Sequence, residues 1–579
     1  MRDIKFVGLH AHSGVGSPFD GFGYPNEHMD FCYENGGSAL ALTDHGNMNG
    51  TAYQVLHAKK MEKQGKDFKP IYGVEAYFVP SVVEWRKTYE EHKADKKKAR
   101  ALSKGQSGTN IEAEGQSKSA GSELNRSRHM VLLAMNQEGL NNIYKMVSES
   151  YTDNYFYRKP RIDYDLLNKY SSGVICLSAC LGGVYAGCYW SHREEGKEAV
   201  LQAMREVTEK MVSILGDRWY GELQWNGIPE QHDLNQYIIQ IASEYDIKLV
   251  STCDSHYPTP VAWKDRELYK RLGWLGRGKP EWLDMNLPTS VQEIEYELYP
   301  RNGNQMWEAY QNYSKQCGVE YDDELVLKSI EESHTIAFSR IERFYPDDAV
   351  RLPDFVVPAG YTADNYLERI SSEGLLSMLK LNDNLSSSEE YKLRLDHELK
   401  VIADRGFSKY FLTMRAIADK TNEIQISGPG RGSAAGSLVA YALGITQIDP
   451  IKYDLLFSRF LRADAEDYPD IDYDVSDPMA LKATLIEQWG DNVVVPISNF
   501  STLQLKSLIK DISKFYDVPF MEVNAVTNKM LFEAMPLAKA KHGIKAGVYN
   551  PTFEEVIEFS DSLQKFFQDH PHIKEHVLG

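Results

Sequence analysis

Short apolar runs alternate with amphipathic stretches along residues 1–260. Seven of the runs have the length of buried strands, at 5–9, 39–43, 70–79, 130–135, 173–178, 220–225 and 248–252. Apolar positions with helical spacing lie between them and predict helices at 26–35, 51–64, 138–149, 196–213 and 232–245. Because strands and helices alternate, we expect a parallel sheet, and seven repeats favour a closed barrel over an open sheet.

One segment interrupts this alternation. Residues 84–128 consist mainly of Lys, Glu, Ser, Gly and Gln and contain almost no apolar side chains. Such a composition buries too little surface to offset the entropy of ordering, so we predict a flexible loop inserted after the third strand. Its lysines are candidates for contact with nucleic acid, although a solvated loop is the favoured interpretation.

The second half of the chain has a different pattern. Helical spacing of apolar residues predicts helices at 261–272, 291–297, 323–343 and 363–405. Residues 424–484 then predict a Gly-rich turn, an apolar helix and an acidic strand, and residues 486–579 are again mainly helical.

Composition narrows the class of protein. A chain of 579 residues with 42% hydrophobic and 25% charged residues is globular, and its length suits about two to four domains. No apolar run approaches the ~20 residues of a membrane span, so no membrane partner is expected. The net charge of −19 excludes a uniformly basic surface for nucleic acid but allows a local basic groove. Six cysteines are too few for a disulfide scaffold, and the first residues do not resemble a secretory signal, so we expect a reducing cytoplasm.

Residues that commonly bind metal ions lie beside the predicted strands of the first region. They are His10 and His12 after the first strand, Asp20 in the next loop, His45 after the second, Glu75 within the third, His129 before the fourth, Cys180 after the fifth, and Asp254 and His256 after the seventh. A β/α barrel places its chemistry at the carboxyl ends of its strands, and His129 fits that rule least well. A lone buried histidine is more often a core residue, so this prediction depends on the whole set.

The mixture of side chains indicates the chemistry. Imidazole and thiolate suit Zn²⁺, whereas carboxylates suit harder ions or bridging positions. Nine ligands exceed the four of a tetrahedral site, so we expect two or three clustered ions. Such a cluster can hold a phosphate and generate hydroxide near neutral pH, which predicts hydrolysis of a phosphoester.

A second group of residues predicts a nucleotide site. The string SGPGRGSAAGS at 427–437 combines a Gly-rich turn with the start of an apolar helix. Glycines let the backbone approach a ligand closely, and a helix start offers free N–H groups to an anion. Gly432 and Ser433 are the candidates for contact with phosphates, and Arg431 adds a bidentate donor. A Gly-rich turn alone is most often only a turn.

Paired carboxylates follow about forty residues later in YPDIDYDVSD. Asp470, Asp472 and Asp474 alternate, so on a strand their side chains point to one face. Aligned carboxylates repel one another unless a cation neutralises them, which predicts a site for two Mg²⁺ ions. A solvated strand edge is the alternative for the triplet alone. Its position downstream of a phosphate cradle makes nucleotidyl transfer the better interpretation.

These motifs together resemble the alpha subunit of bacterial DNA polymerase III, the C-family of replicative polymerases. The supporting strings are HAHSGVGSPFDG, ALTDHGN, IYGVEAY, HMVLLAMNQEGLNN, DSHY, RGFSKYFL, GPGRGSAAGSLVAYALGITQIDP, LLFSRFL and PDIDYD, in the order of the family and within residues 1 to about 511. The resemblance implies an α/β fold. A PHP domain with a distorted (β/α)₇ barrel would cover residues 1–270, with the insertion at 84–128. The first segment of a polymerase-beta-like palm would cover 285–500, and a helical thumb 501–579.

The resemblance also implies roles for particular residues. All nine PHP ligand positions are filled, which implies an active centre of two to three Zn²⁺ or Mn²⁺ ions and 3′–5′ exonuclease activity. Gly432 and Ser433 match the triphosphate contact of the family. Asp470 and Asp472 match two of its three catalytic carboxylates, while Asp474 does not. Lys506 and Lys510 match basic positions expected to contact phosphate.

The end of the chain affects the expected activity. Family members continue into the rest of the palm with the third catalytic aspartate, the fingers and a clamp-binding segment, and no string here matches the third-aspartate strand. The alternatives are a split polymerase, a product interrupted by an intervening element, and a truncated relic. The first two are favoured, and a phage origin would suit them.

Three functions therefore compete. The first is a DNA polymerase that extends primer–template DNA with dNTPs once a second polypeptide completes it, with a sliding clamp as a possible partner of that polypeptide. The second is a free-standing PHP phosphoesterase or exonuclease with a non-catalytic palm. The third is a structural module whose metal cluster stabilises the fold.

Overall fold

Six strands form one sheet in the order in which the chain makes them. They are β1 Ala39–Leu42, β2 Lys69–Phe78, β3 Arg128–Ala134, β4 Val174–Leu177, β5 Trp219–Gln224 and β6 Lys248–Thr252. Six of the seven predicted strands are therefore present. In this computed structural model the described residues are all except 1–3, 104–127, 277–287, 289–292, 295, 348, 350, 352–353, 382–387, 463, 465–467, 492, 498–503, 545–548 and 579.

The segment around Leu9 closes this sheet into a ring. Gly8 forms a parallel bridge with Leu40 of β1, and Ala11 forms one with Ser255 just after β6. The N–H of His12 donates to the carbonyl of Ser255 at 2.7 Å. The first predicted strand is thus extended backbone that pairs at single positions on both sides, and the predicted α/β barrel is confirmed.

The prediction of a parallel sheet is wrong at one strand. β1, β2, β4, β5 and β6 follow the parallel pattern, but β3 is antiparallel to both of its neighbours. The chain leaves β2 at the mouth of the barrel and enters β3 from the same end, because the connection does not cross back along the barrel. The start of β3 therefore lies beside the ends of the other strands, where His129 pairs with Tyr77.

Helices surround the barrel and make up most of the remaining structure. In the barrel region they are α1 Pro25–Glu34, α2 Thr51–Lys63, α3 Val82–Ser103, α4 Gln137–Ser150, α5 Tyr164–Tyr170, α6 Val184–His192, α7 Lys197–Leu215, α8 Pro229–Tyr245, α9 Trp263–Gly276, α10 Gly303–Cys317 and α11 Asp323–Thr335, which a π-turn at Ile336–Arg340 extends. The predicted helix at 291–297 lies partly outside the described residues.

The predicted flexible loop begins instead with α3. Residues 84–103 continue this helix, and residues 104–127 lie outside the described part of the chain. The helix is anchored at its first turns, where the ring of Trp85 stacks on Tyr89 and the guanidinium of Arg161 lies 3.9 Å from the Trp85 ring centroid. The average composition of the segment did not predict this helix, because it gives little weight to Trp85 and Tyr89.

The chain divides into two compact units. The first combines Met1–Asp347 with Phe500–Gly579, and the second is Asp348–Asn499. The predicted domain boundaries remain predictions. The helices at the C-terminal end of the first unit follow those of the second unit in the chain. They are α17 Leu505–Phe515, α18 Phe520–Lys541, α19 Phe553–Phe559, α20 Asp561–Asp569 and α21 Pro571–Leu578. Leu268 of α9 shares an apolar cluster with Ile509, Met530 and Phe566 of this C-terminal bundle.

The second unit is helical around its own core. Its helices are α12 Ala363–Leu381, α13 Ser388–Asp404, α14 Ser408–Ile424, α15 Leu438–Ala442 and α16 Pro478–Trp489. Phe411 and Leu438 are buried at the centre of this core. The acidic strand predicted near 470–474 is extended backbone without a ladder, since its only bridge among the described residues joins Val475 to Ser427.

Two further expectations concern the whole described chain. All six cysteines are free thiols, as the sparse usage predicted. No helix among the residues described here has the length and apolar character that crossing a bilayer requires.

The shared cluster on α9 gives a test of this packing. We expect Leu268→Ala to lower the free energy of unfolding by about 2–5 kcal/mol, because it leaves a cavity in a core where Leu268 is 3% exposed. Urea denaturation followed by tryptophan fluorescence measures the change. Leu56→Ala on α2 is the matched control, because Leu56 is 69% exposed and its truncation should change stability by less than about 0.5 kcal/mol. Equal effects of the two substitutions would contradict the packing.

Candidate functional site

The nine predicted ligands meet at the mouth of the barrel, around the carboxylate of Glu75. Its Oε1 lies 3.3 Å from His10 Nε2 and 3.1 Å from His129 Nδ1. Its Oε2 lies 2.6 Å from His45 Nδ1 and 3.6 Å from His12 Nε2. Glu75 occupies this central position because it lies within β2, between His45, which follows β1 and bridges Glu75, and His129 near the start of β3.

The other ligands surround this centre. Asp254 Oδ1 lies 3.3 Å from both His10 Nε2 and His12 Nε2. Asp20 Oδ2 lies 3.0 Å from His45 Nε2 and 3.8 Å from His256 Nε2. Cys180 Sγ is 3.8 Å from His129 Nδ1 and 4.0 Å from Glu75 Oε1. The antiparallel course of β3 explains why His129 joins the cluster although it precedes its strand.

Five buried polar atoms in this cluster approach one another at 2.6–3.6 Å but form no hydrogen bond of normal geometry with the described residues: His10 Nε2, His12 Nε2, His45 Nδ1, Glu75 Oε2 and Asp254 Oδ1. Buried polar atoms are normally satisfied, and unsatisfied ones that converge on one point call for an ion. The ligand atoms form three overlapping groups that fit metal ions, namely His12–His45–His256, His10–His12–Glu75 and His45–Glu75–His129. The donor set therefore fits a cluster of ions.

The electrostatics of the site favour ionised carboxylates. Burial opposes ionisation of Glu75, but His129, His45 and His10 outweigh it and hold the pKa of Glu75 well below its usual value. Burial also disfavours a charged His45, yet Glu75 and Asp20 raise its pKa to about 10. At Cys180, burial together with Glu75 and Asp254 raises the pKa of the thiol well above its usual value. A bound cation reverses that last effect, because thiolate is the form that binds metal.

Three supporting residues were not predicted as site residues. Glu222 is completely buried in β5, where its Oε1 accepts from His10 Nδ1 at 2.8 Å and from Thr252 Oγ1 at 2.5 Å. Its Oε2 accepts from the N–H of Ala179 at 3.0 Å. A single acid inside the apolar run YGELQW was the signal that could have identified it.

Asp44 and Arg266 support the opposite side of the cluster. Asp44 accepts from Ser17 Oγ at 2.9 Å, and Ser17 Oγ in turn lies 3.3 Å from His12 Nδ1. Burial raises the pKa of Asp44 to about 6. Arg266 of α9 donates to Asp20 Oδ1 at 2.7 Å and to the Asp20 carbonyl at 2.8 Å, which fixes this ligand.

In the second unit, the Gly-rich turn and the acidic segment lie together. Gly432 has a φ of +65°, and a Cβ there would come 2.3 Å from Asp472 Oδ2. Arg431 Nη1 lies 3.0 Å from Asp474 Oδ1, and this carboxylate raises the pKa of Arg431. Asp470 and Asp472 are exposed on either side of the buried Ile471, so the alternation expected for a strand is present. Ser433 begins the turn Ser433–Gly436 directly after Gly432.

Glu398 holds the helix that follows this turn. Its Oε2 accepts from Ser437 Oγ at 2.9 Å and from the N–H of Val439 at 3.0 Å, at the start of α15. Lys506 and Lys510 lie in the first unit on α17, where they donate to Asn528 and Asn524 of α18. Their predicted contact with phosphate remains a prediction, as do the catalytic roles of Asp470 and Asp472.

Two parts of the chain match known protein families. Residues 8–226 match the PHP domain, and residues 365–576 match the bacterial DNA polymerase III alpha NTPase domain. The chain is 33% identical to the DNA polymerase III subunit alpha of Aquifex aeolicus over 89% of its own length and 40% of the relative. It is 32% identical to the DNA polymerase III subunit alpha of Borreliella burgdorferi, over 90% of its own length and 40% of that relative. These matches confirm the resemblance predicted from the motifs.

The chain thus spans about two-fifths of the length of the curated relatives it matches. Among solved structures, an amidohydrolase from Chromobacterium violaceum aligns with 13% identity and a TM-score of 0.24, over 45% of this chain and 96% of that chain.

The buried partner of His10 gives a test of the metal centre. We expect Glu222→Gln to weaken metal binding about 10- to 100-fold, because the neutral amide no longer raises the basicity of the imidazole that it orients. Competition with a fluorescent Zn²⁺ chelator measures the affinity. Glu194→Gln, at a side chain that is 89% exposed, is the matched control and should leave the affinity unchanged. Unchanged affinity in the Glu222 variant would show that this carboxylate does not support the ligand.

Proposed function

We propose that this chain is the amino-terminal part of a replicative DNA polymerase, because residues 8–226 match the PHP domain and residues 365–576 match the bacterial DNA polymerase III alpha NTPase domain. It would add dNTPs to the 3′ end of a primer once further polypeptide completes the palm and supplies the fingers. The share of the relatives that it covers, 40%, supports this need for more polypeptide. Contact with a sliding clamp would pass through that additional polypeptide, in the bacterial cytoplasm.

The observation that carries the hydrolytic part of the proposal is the set of five unpartnered buried ligand atoms at the barrel mouth. Zn²⁺ or Mn²⁺ is the ion that these imidazoles, carboxylates and the thiol suit. Bound there, such ions supply Lewis acidity and a water of lowered pKa. We infer that the site removes nucleotides from the 3′ end of a DNA strand.

The chain's own residues position this chemistry. Glu75, Asp254 and the histidines around them would hold the ions, and Glu222 orients His10 through its Nδ1. Asp20 is the most exposed carboxylate of the cluster, with 43% of its side chain accessible, and Arg266 fixes it. The substrate therefore does not enter past His10 and His12, which are completely buried.

The second unit would supply the nucleotidyl-transfer site. Gly432 and Ser433 offer backbone N–H groups to the triphosphate, and Arg431 lies beside them with an exposed guanidinium. Asp470 and Asp472 would hold two Mg²⁺ ions that bring the primer 3′ hydroxyl and the leaving pyrophosphate into reach. The close approach of Gly432 to Asp472 is the contact that supports this pairing of cradle and carboxylates.

The first experiment separates the two activities. The chain is given a 5′-labelled primer annealed to a longer template with dNTPs, Mg²⁺ and a trace of Mn²⁺, and primer length is read on a gel. We expect shortening without extension from the chain alone, and no shortening from His12→Ala, because that imidazole belongs to two of the three ligand groups. His192→Ala is the control, since His192 lies at the end of α6, outside the ligand groups, with 39% of its side chain exposed. Shortening that persists in His12→Ala would refute the hydrolytic proposal.

The polymerase proposal has its own test. With the completing polypeptide of a relative added, we expect extension that either Asp470→Ala or Asp472→Ala reduces at least about 10³-fold, because each removes a carboxylate from the Mg²⁺ site. Both variants should retain primer shortening. Asp396→Ala, at an exposed position of α13, is the control for loss of a carboxylate. Extension that survives in the two variants, or hydrolysis as the only activity in every combination, would favour a free-standing phosphoesterase.

A further inference from the structure

A loop rich in aromatic and basic residues borders the metal centre and has no role in the proposed chemistry so far. Residues 151–161, YTDNYFYRKPR, contain four aromatic residues and one proline. They also contain three basic residues, Arg158, Lys159 and Arg161, and one acid, Asp153. The loop connects α4 to the segment before α5. Arg158 and Lys159 are both exposed at its tip.

A buried arginine holds the shape of this tip. Arg161 is only 2% exposed, and its Nη1 donates to the carbonyls of Tyr157 at 2.6 Å and Lys159 at 3.0 Å. Its guanidinium is also covered by the ring of Trp85. The turn forces Arg158 to a φ of +56°, a conformation that is costly for a residue with a side chain and is enriched at functional sites. The loop is therefore built to present Arg158 and Lys159.

The loop packs against residues that neighbour the ligand His45. Gly46, which follows the ligand His45, packs so closely that a Cβ there would come 2.8 Å from Pro160 Cγ. The ammonium of Lys159 lies 4.1 Å from the centroid of the Tyr77 ring. That ring stacks on the His45 imidazole, with centroids 6.0 Å apart. Lys159 is thus one aromatic ring away from a ligand.

The cluster is accessible on this side, as it also is at Asp20. The side chain of His129 is 21% exposed and its ring lies 5.5 Å from that of Tyr77, whereas the His10 and His12 side chains are inaccessible. A substrate that reaches the ions from this side passes Tyr77 and the tip of the loop. Within the described chain Arg158 forms no ion pair, so its charge is available to an anion.

We propose that Arg158, Lys159 and the ring of Tyr77 form a binding site for the last nucleotides of a single-stranded DNA end, and that this site guides the terminal phosphodiester to the metal centre. The proposal rests on the proposed hydrolytic function and assigns the residues that select a polynucleotide. When Lys159 turns from the Tyr77 ring toward a phosphate, the two cations contact successive phosphates and the ring face that Lys159 leaves stacks on a base of any sequence. A small phosphoester is short enough to bind the ions alone and does not need the loop.

Binding is measured on the full metal-loaded chain by fluorescence anisotropy with a fluorescein-labelled twelve-nucleotide dT strand, whose 3′-terminal phosphorothioate links resist hydrolysis. We expect Arg158→Gln combined with Lys159→Gln to weaken binding roughly tenfold and to make the dependence of log K on log salt shallower by about 1.4, the value for two phosphates on a single strand. Tyr77→Leu should weaken binding several-fold, and Tyr77→Phe should restore it, because stacking needs the ring and not the hydroxyl.

The matched control removes two positive charges elsewhere on the same barrel. Lys60→Gln with Lys63→Gln changes the last turn of α2, which runs away from the mouth, and we expect less than a twofold effect on affinity. An equal loss of affinity in the two double variants would overturn the proposal, because it would show only a response to net charge. No loss in the Arg158–Lys159 variant would overturn it as well.

Hydrolysis separates this proposal from the function on which it rests. The single-stranded oligonucleotide is compared with bis(4-nitrophenyl) phosphate, a small diester. We expect the Arg158–Lys159 variant to lose at least about fivefold more kcat/KM on the oligonucleotide than on the small diester. Equal losses on both substrates would overturn the proposal by showing a disturbed metal centre. If the unaltered chain hydrolyses neither, the hydrolytic function fails, and the binding experiment still decides whether the loop recognises DNA.

Discussion

The barrel is organised around a buried cluster of carboxylates and imidazoles whose arrangement fits metal ions. Glu75 and Asp254 are buried, and His10 Nε2, His12 Nε2 and His45 Nδ1, which face them, have no hydrogen-bond partners of normal geometry among the described residues. A cluster of imidazoles and carboxylates at these distances costs folding free energy unless ions bind there. The closed ring of strands, the antiparallel course of β3 and the buried Glu222 all serve to bring these atoms to one place. Metal binding would therefore add to the stability of the barrel.

Local pattern was enough to predict much of the barrel. The strands and most helices follow from apolar spacing, and the nine ligands follow from their places beside those strands. The direction of β3 was not predictable, because it depends on how the chain returns after α3. Glu222 was not predicted as a site residue because its role depends on a hydrogen bond to His10, which is distant in the sequence. The helix at 84–103 likewise depends on Trp85 meeting Arg161, a contact between distant parts of the sequence.

In the second unit, prediction from sequence succeeded at short range and failed at longer range. The alternation of Asp470 and Asp472 with the buried Ile471 survives in the structure because it depends on neighbouring residues alone. The regular strand does not form, because pairing requires a partner on each side and the described chain provides one bridge, at Ser427. The short α15 is positioned by Glu398. Periodicity predicted the helix that carries Glu398, but it could not predict the contacts that this side chain makes.

The shared core between α9 and the C-terminal bundle has a consequence for biosynthesis. Leu268 is covered by residues beyond Phe500, so the first compact unit is assembled from both ends of the chain. The ribosome makes the whole second unit, about 150 residues, between the two parts. At about 5–20 residues per second, this interval lasts roughly ten to thirty seconds. During it the apolar face of α9, the helix that fixes Asp20 through Arg266, remains uncovered on the nascent chain, and the last helices to be translated complete its burial.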